Sequence, residues 1–272
     1  SGQRDANRPD PVIKVFAQLA LLDGLVHLSV GGGDHAAIGL VGGPAPYRPH
    51  FPLLQNPEQF ALSVHRHLGK LVQERFGRLI LELGGNNAVI VSDKADLDIA
   101  LRAVYFGAIG TSGQRCTSTR RVILHESVSE RFVERLKALY GETTIGDPLA
   151  YDTLMGPLVD RDAVATMLKA IETAKGQGAT VLAGGEPLEK AGGCYVTPCL
   201  VAAGTELPIV QEETFAPILY LTTYRTIEEA IALQNGVPQG LSSAIITNDF
   251  RETELFLSAE GSDCGIANVN TG

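Results

Sequence analysis

The 272-residue sequence has no tryptophan and only four cysteines, two methionines and six histidines. Cys116, Cys194, Cys199 and Cys264 form no C-x-x-C pair. Neither a zinc site nor a disulfide framework is indicated, and a reducing compartment is expected. His50, His65 and His67 have no acidic or cysteine partners at ligand spacing, so no metal centre is expected. Long apolar runs are missing too: none reaches membrane-spanning length, and Ser1-Gly2-Gln3-Arg4-Asp5 has no apolar signal region. No membrane partner follows from such a sequence. Positive charge is in deficit, with a formal net charge of −9 and no long block of one sign, which argues against a nucleic-acid surface. What is present is 44% hydrophobic residues, ample for a substantial core. The expected location is cytoplasmic, or mitochondrial if a targeting segment preceded Ser1.

From Leu79 onward, apolar runs alternate with amphipathic stretches. Strands are predicted at Leu79 to Leu83, Ala88 to Val91, Val122 to His125 and around Val181, and later at Ile218 to Tyr224, Leu241 to Thr247 and Gly265 to Val269. Helices are predicted from Asp96 to Ile109, after Ser127, from Asp162 to Lys175, after Thr226 and near Glu252 to Ala259. Ser127 and Thr226 each stand three residues before a glutamate, the spacing of a capping box. Strands separated by helices require crossover connections. The fold class is therefore α/β, with a mainly parallel sheet covered by helices on both faces.

Residues 1 to 78 have a different character. Val12 to Leu22 reads as a helix, and Leu25 to Val30 as a strand entering the Gly31-Gly32-Gly33 turn. The triple glycine lacks the Lys-Ser/Thr of a P-loop and the spacing of a dinucleotide fingerprint. Five prolines between Gly42 and Gln59 disfavour regular structure there.

Chemistry concentrates in two segments. Gly113-Gln114-Arg115-Cys116-Thr117 places a thiol 34 positions after Glu82 in Leu81-Glu82-Leu83-Gly84-Gly85-Asn86-Asn87. A thiol nucleophile needs an activating environment and often a base. Arg115 and the end of a helix at Gly110 are candidates for the first, and Glu82 for the second. Taken alone, Cys116 among small residues reads as a buried hydrophobe.

Together with Glu213-Thr214-Phe215-Ala216-Pro217, these segments resemble three signatures of the NAD(P)-dependent aldehyde dehydrogenases, in the family's order. Gly84-Gly85-Asn86-Asn87, Gln239-Gly240-Leu241-Ser242-Ser243 and Gly261-Ser262-Asp263-Cys264-Gly265-Ile266 resemble the antiquitin group, the α-aminoadipic semialdehyde dehydrogenases of lysine catabolism. The match is close from about Leu71 to Asn270. The resemblance implies a catalytic domain over residues 79–272, preceded at 1–78 by a degenerate remnant of the Rossmann-like NAD-binding domain.

It also implies a two-step covalent reaction. Cys116 attacks the aldehyde, a hydride leaves for the nicotinamide, and Glu82 activates the water that hydrolyses the resulting thioester. The Cys116 N–H contributes to an oxyanion hole. By the same resemblance Glu213 holds the nicotinamide ribose, Phe215 packs beside the ring, and Leu83 meets its carboxamide end. Thr117 touches substrate, and Arg115 is a candidate anchor for a substrate carboxylate; Arg120 is a second, or else pairs with a neighbouring acid. The implied cofactor is NAD in preference to NADP, the partner a small-molecule aldehyde, and the family assembly a homo-oligomer.

The departures are equally specific. The chain reads as a fragment truncated at both ends, without the family's oxyanion-holding Asn or its C-terminal assembly strand. Where relatives carry Phe-Thr-Gly-Ser/Thr, it has Val64-His65-Arg66-His67. Read one base later, one codon choice for those four residues spells Phe-Thr-Gly-Thr, so about Val41 to His67 is expected to be a frameshifted segment. A nonenzymatic remnant or assembly partner, and a cofactor-independent esterase using Cys116, stand as the other readings.

Overall fold

Residues 84–190 and 192–271 are described in the computed structural model. They belong to one compact unit spanning Leu81–Gly272. The strand predicted at Leu79 to Leu83 and everything expected of residues 1 to 78, including the 41–67 segment, lie outside the described residues.

The strands in chain order are β1 (Ala88–Val91), β2 (Arg121–His125), β3 (Thr180–Ala183), β4 (Pro187–Leu188), β5 (Tyr195–Val196), β6 (Cys199–Ala202), β7 (Ile218–Tyr224), β8 (Ser242–Ile246) and β9 (Ile266–Val269). Seven of them form one sheet in the order β3-β6-β7-β2-β1-β8-β9, and β4 pairs with β5 separately. Every neighbouring pair in the large sheet is parallel except β3 with β6. The helices are α1 (Leu97–Ile109), α2 (Glu126–Gly141), α3 (Arg161–Gly176), α4 (Ile227–Asn235) and α5 (Phe250–Leu257), with a 3-10 turn at Pro208–Gln211.

Alternation along the central strands sorts their side chains onto two faces. Val89, Val91, Val122, Leu124, Ala244 and Ile246 pack into one cluster with α1, α2 and α3. Ala88, Ile90, Ile123 and Ile245 enter the other, with Ala230 and Ile231 of α4 and Phe256 of α5. A parallel strand buried on both faces reads as an unbroken apolar run, as Ala88-Val89-Ile90-Val91 does. On α2, Val128, Phe132, Leu136 and Tyr140 recur at helical spacing and are buried. Burying a side chain such as Phe132 or Leu136 stabilises by about 1.5–3 kcal/mol. The α/β class, the mainly parallel sheet and the helices on both faces are as expected.

The caps show where local sequence decided and where it did not. Asp96 accepts from the N–H groups of Asp98 (2.9 Å) and Ile99 (3.2 Å) and starts α1 as predicted. Thr226 accepts from Glu229 N–H at 3.3 Å to start α4. Its glutamate, however, reaches back to the Arg225 N–H at 2.8 Å rather than to the capping residue. Ser127 is not a cap: α2 begins at Glu126, and the His125 ring accepts from the Ser127 N–H. β2 runs directly into α2, leaving only its last residue in the capping position. Likewise Asp249 caps α5, so the helix runs Phe250–Leu257 rather than 252–259.

Candidate active site

Four loops meet at one edge of the sheet. Asn86-Asn87 leads into β1, Ser118 to Arg120 into β2, Thr214 to Pro217 into β7, and Leu241 into β8. These strands are parallel, so all four loops lie at their amino ends. Open α/β sheets usually bind ligands at the opposite, carboxyl end, where helix N-termini gather. Helix C-termini gather here instead.

The turn after α1 carries Cys116, which is exposed rather than buried. Ser112 (φ 55) and Gly113 (φ 68) are both left-handed, reversing the chain at the end of the helix. A Cβ at Gly113 would overlap the Ala216 carbonyl, so the turn is pressed against the loop before β7. Ser112 donates its hydroxyl to Gly156 O at 2.9 Å, and Gln114 Oε1 accepts from Val159 N–H at 2.8 Å. Beyond the cysteine, the Arg115 N–H donates to Ser118 Oγ at 3.1 Å. The Cys116 N–H has no acceptor among the described residues.

Asn87 ties this loop to the sheet. Its Nδ2 donates to the carbonyls of Cys116 and Ser118, each at 2.8 Å. Its Oδ1 accepts from Leu241 (3.0 Å) and Ser242 (2.9 Å). Both donors and both lone pairs of the buried amide are used. Gly85 completes the contact, because a Cβ there would sit 2.7 Å from Cys116 O and 2.6 Å from Leu241 Cδ1. Gly85 thereby permits close approach of the Cys116 loop, while Gly84 faces Glu213.

Arg120 joins the Cys116 loop to the segment before β7. It is 2% exposed. Its Nη1 donates to Gly113 O (3.1 Å) and Thr214 O (2.7 Å), and its Nη2 to Arg115 O (2.9 Å) and Glu213 Oε1 (3.0 Å). Nε is shared between Gly85 O (3.1 Å) and Glu213 Oε1 (3.3 Å). The guanidinium also lies 4.9 Å from the centroid of Phe215, a cation–π contact. Burial lowers the Arg120 pKa from the usual guanidinium value, and the Glu213 carboxylate opposes that fall. Of the two sequence alternatives for Arg120, the structure selects pairing with an acid: the group is enclosed and occupied, and does not reach out as a substrate anchor.

Glu213 and Phe215 keep open surfaces. With Oε1 on Arg120, Oε2 lies against Gly84, where a Cβ would overlap it and where φ is +82°. The Phe215 ring is 46% exposed. Beside the cysteine, a cleft of about 220 Å³ is lined by Phe106, Thr111, Arg115, Thr117, Ser242 and Ile266. Arg115 and Thr117 thus line a cleft, whereas Cys116 between them is exposed without lining it, and Glu213 and Phe215 lie on the same edge of the sheet but outside the cleft. Glu82 and Leu83 lie outside the described residues.

One expectation is corrected on its sign. α1 points its C-terminal end at the cysteine turn, with Gly110 as its cap. That end carries negative partial charge, the wrong sign to hold a thiolate. The neighbouring Arg121 answers the same polarity elsewhere on this edge. Its Nη1 and Nη2 donate to Leu233 O (2.8 Å) and Gln234 O (2.9 Å) in the last turn of α4, and its Nε to Asn86 O (2.9 Å). Burial lowers the Arg121 pKa to about 10, which leaves it charged at neutral pH.

Asn87, Arg121 and the full reach of Arg120 were not singled out by the sequence analysis. The available signal was two asparagines between a glycine pair and a buried strand, and two arginines opening another. Among the described residues, no group of three or more His, Cys, Asp or Glu side chains could hold a metal ion, and no helix is long and apolar enough to cross a membrane.

Comparison with known proteins supplies the lineage. Residues 61–272 match the model of the aldehyde dehydrogenase family. The chain is 48% identical over 207 residues to aldehyde dehydrogenase family 7 member A1 of Pisum sativum, covering 75% of this chain and 41% of the relative. It is 46% identical over 209 residues to the α-aminoadipic semialdehyde dehydrogenase of Mus musculus, covering 76% and 39% respectively. A structure of betaine aldehyde dehydrogenase from Staphylococcus aureus in complex with NAD+ superposes with a TM-score of 0.72 at 26% identity, covering 77% of this chain and 42% of that one. The chain spans about two fifths of the length of the curated relatives it matches. With the family model matched over most of its length, this chain belongs to the aldehyde dehydrogenase family.

Proposed function

We propose that this chain carries the nucleophile-bearing part of a nicotinamide-dependent aldehyde dehydrogenase, oxidising α-aminoadipic semialdehyde or a similar aldehyde to its carboxylic acid. The observation that carries this reading is the convergence of Cys116, Gly85 and Glu213 on one edge, held there by Asn87 and Arg120. The mouse relative's name supports the substrate, and the NAD+ complex of the Staphylococcus aureus enzyme supports NAD in preference to NADP.

The residues present fit a nicotinamide nucleotide. Glu213 retains Oε2 beyond its pairing with Arg120, an acceptor suited to ribose hydroxyls, and Phe215 offers an exposed ring face for a flat heterocycle. The bound cofactor supplies a hydride acceptor. Cys116 attacks the aldehyde carbon to form a thiohemiacetal, and its N–H, which has no acceptor among the described residues, donates to the developing oxyanion. Loss of hydride from that carbon leaves a thioester on Cys116. Glu82, three residues before Gly85, takes a proton from the water that releases the acid. Arg115 and Thr117, lining the cleft beside Cys116, orient the substrate.

The test is NADH formation by the full chain with α-aminoadipic semialdehyde and simpler aldehydes, set against Cys116→Ala. NADH formation that depends on Cys116 supports the reading, and Glu82→Gln then accumulates a thioester detectable by mass on the Cys116 peptide. A wild-type signal no higher than that of Cys116→Ala overturns it. Ester hydrolysis without NAD, lost in Cys116→Ala, would instead identify a cofactor-independent esterase.

A further inference from the structure

Arg120 contacts both halves of the site, and the way its donors are divided matters. Nη1 and Nη2 serve the carbonyls of Gly113 and Arg115, on either side of Gln114 and immediately before Cys116. Nη2 and Nε also meet one oxygen of Glu213, while Nη1 binds the next carbonyl, that of Thr214. A carboxylate held through one oxygen by a fixed fork cannot rotate freely about its terminal bond. Gly84 leaves room for the second oxygen on the other side. The same guanidinium seats the Phe215 ring.

We propose that Arg120 is a positioning residue that couples the Cys116 loop to the orientation in which Glu213 accepts the hydroxyls of a vicinal diol. The diol is the ribose of the nicotinamide nucleotide, so this inference rests on the function proposed above. Ordering of Glu213 by a bound nucleotide then reaches the nucleophile through a single side chain.

Lysine and glutamine at this position separate the two tasks. A lysine ammonium is a point charge that pairs with Glu213 but cannot span the carbonyls of Gly85, Gly113, Arg115 and Thr214. Glutamine does neither. The experiment measures NAD binding by calorimetry and Cys116 alkylation by iodoacetamide in the full chain, for wild type, Arg120→Lys, Arg120→Gln, Glu213→Gln and the Arg120→Gln/Glu213→Gln double variant, with thermal melts to confirm folding. Arg120→Gln is expected to weaken NAD binding about tenfold or more, the scale of a lost hydrogen bond to a charged group. The double variant binds no more weakly than the poorer single variant, because both remove one interaction. Arg120→Lys recovers much of the NAD binding while its alkylation of Cys116 stays slow, as in Arg120→Gln.

Unchanged NAD binding in Arg120→Gln, losses that add in the double variant, or a lysine variant that restores both properties or neither would overturn the inference. If the wild-type chain binds no NAD, the reading of Glu213 fails first. The alkylation arm then decides the coupling to Cys116: a slowed reaction in both Arg120 variants sustains it, and wild-type rates reject it.

Discussion

The amide nitrogen of Asn87 donates to the Cys116 carbonyl at 2.8 Å, so the residue that leads into β1 also fixes the main chain at Cys116. With three further bonds to Ser118, Leu241 and Ser242, it has no unused polar capacity. Asn87→Ala is expected to destabilise the fold by about 2–4 kcal/mol, because buried carbonyl and N–H groups lose their partners without gaining water. Asn87→Asp keeps the shape but turns an acceptor toward two carbonyls, and is expected to cost at least as much. Urea unfolding measures both; a loss for Asn87→Ala below about 1 kcal/mol would show that solvent replaces the amide.

Arg121 gives a second stability prediction. It is 1% exposed and bonded to three carbonyls, two of them in the last turn of α4. Replacing it with methionine keeps much of the volume while stripping those carbonyls of their donors. The expected loss is about 3–5 kcal/mol, with lysine recovering only part through its single ammonium. The same urea experiment ranks the three side chains, and methionine at wild-type stability contradicts the assignment.

The four cysteines differ in accessibility. Cys116 is exposed, whereas Cys199 is buried and desolvation raises its thiol pKa to about 12. Iodoacetamide at pH 8 is therefore expected to label Cys116 in the native chain and leave Cys199 unmodified until denaturant is added. Peptide mass mapping before and after unfolding checks this; native labelling of Cys199 at the rate of Cys116 would contradict the packing.

Burial of acids also sets the response to alkali. Cys199 rises from 9.0 to about 12, and the buried hydroxyls of Tyr140, Tyr220 and Tyr224 are likewise raised by desolvation. Above the unfolded pKa of each group, the unfolded chain has released a proton that the folded chain still holds, so stability falls as pH rises. For Cys199 the stabilisation is fully present below pH 9 and is lost progressively toward 12. One such proton changes stability by up to roughly 1.4 kcal/mol per pH unit. Urea midpoints at pH 8, 9 and 10 are expected to decrease in that order; a midpoint that rises with pH would reverse the sign.

Much of the architecture was legible because its signals are local. Asp96 and Thr226 announced their helices, and continuous apolar runs marked the strands buried on both faces. β6 was not recognised: Cys199-Leu200-Val201-Ala202 is short, follows Pro198 and has no partner nearby in sequence. Its antiparallel pairing with β3 depends on where the chain returns in space. His125 displaced Ser127 as the cap of α2 for a similar reason, since the end of β2 had already placed its ring there.

The sequence alone determined the class of fold and the family, because residue type and spacing along the chain are enough for these. Cys116, Glu213 and Phe215 could be named without coordinates. Only the tertiary structure decided what Arg120 does and that the loops meet at the amino ends of the strands. An arginine's charge is visible in the sequence, but its partners are not. Here they come from residues 85, 113, 115, 213 and 214, brought together by parallel strands that are distant along the chain.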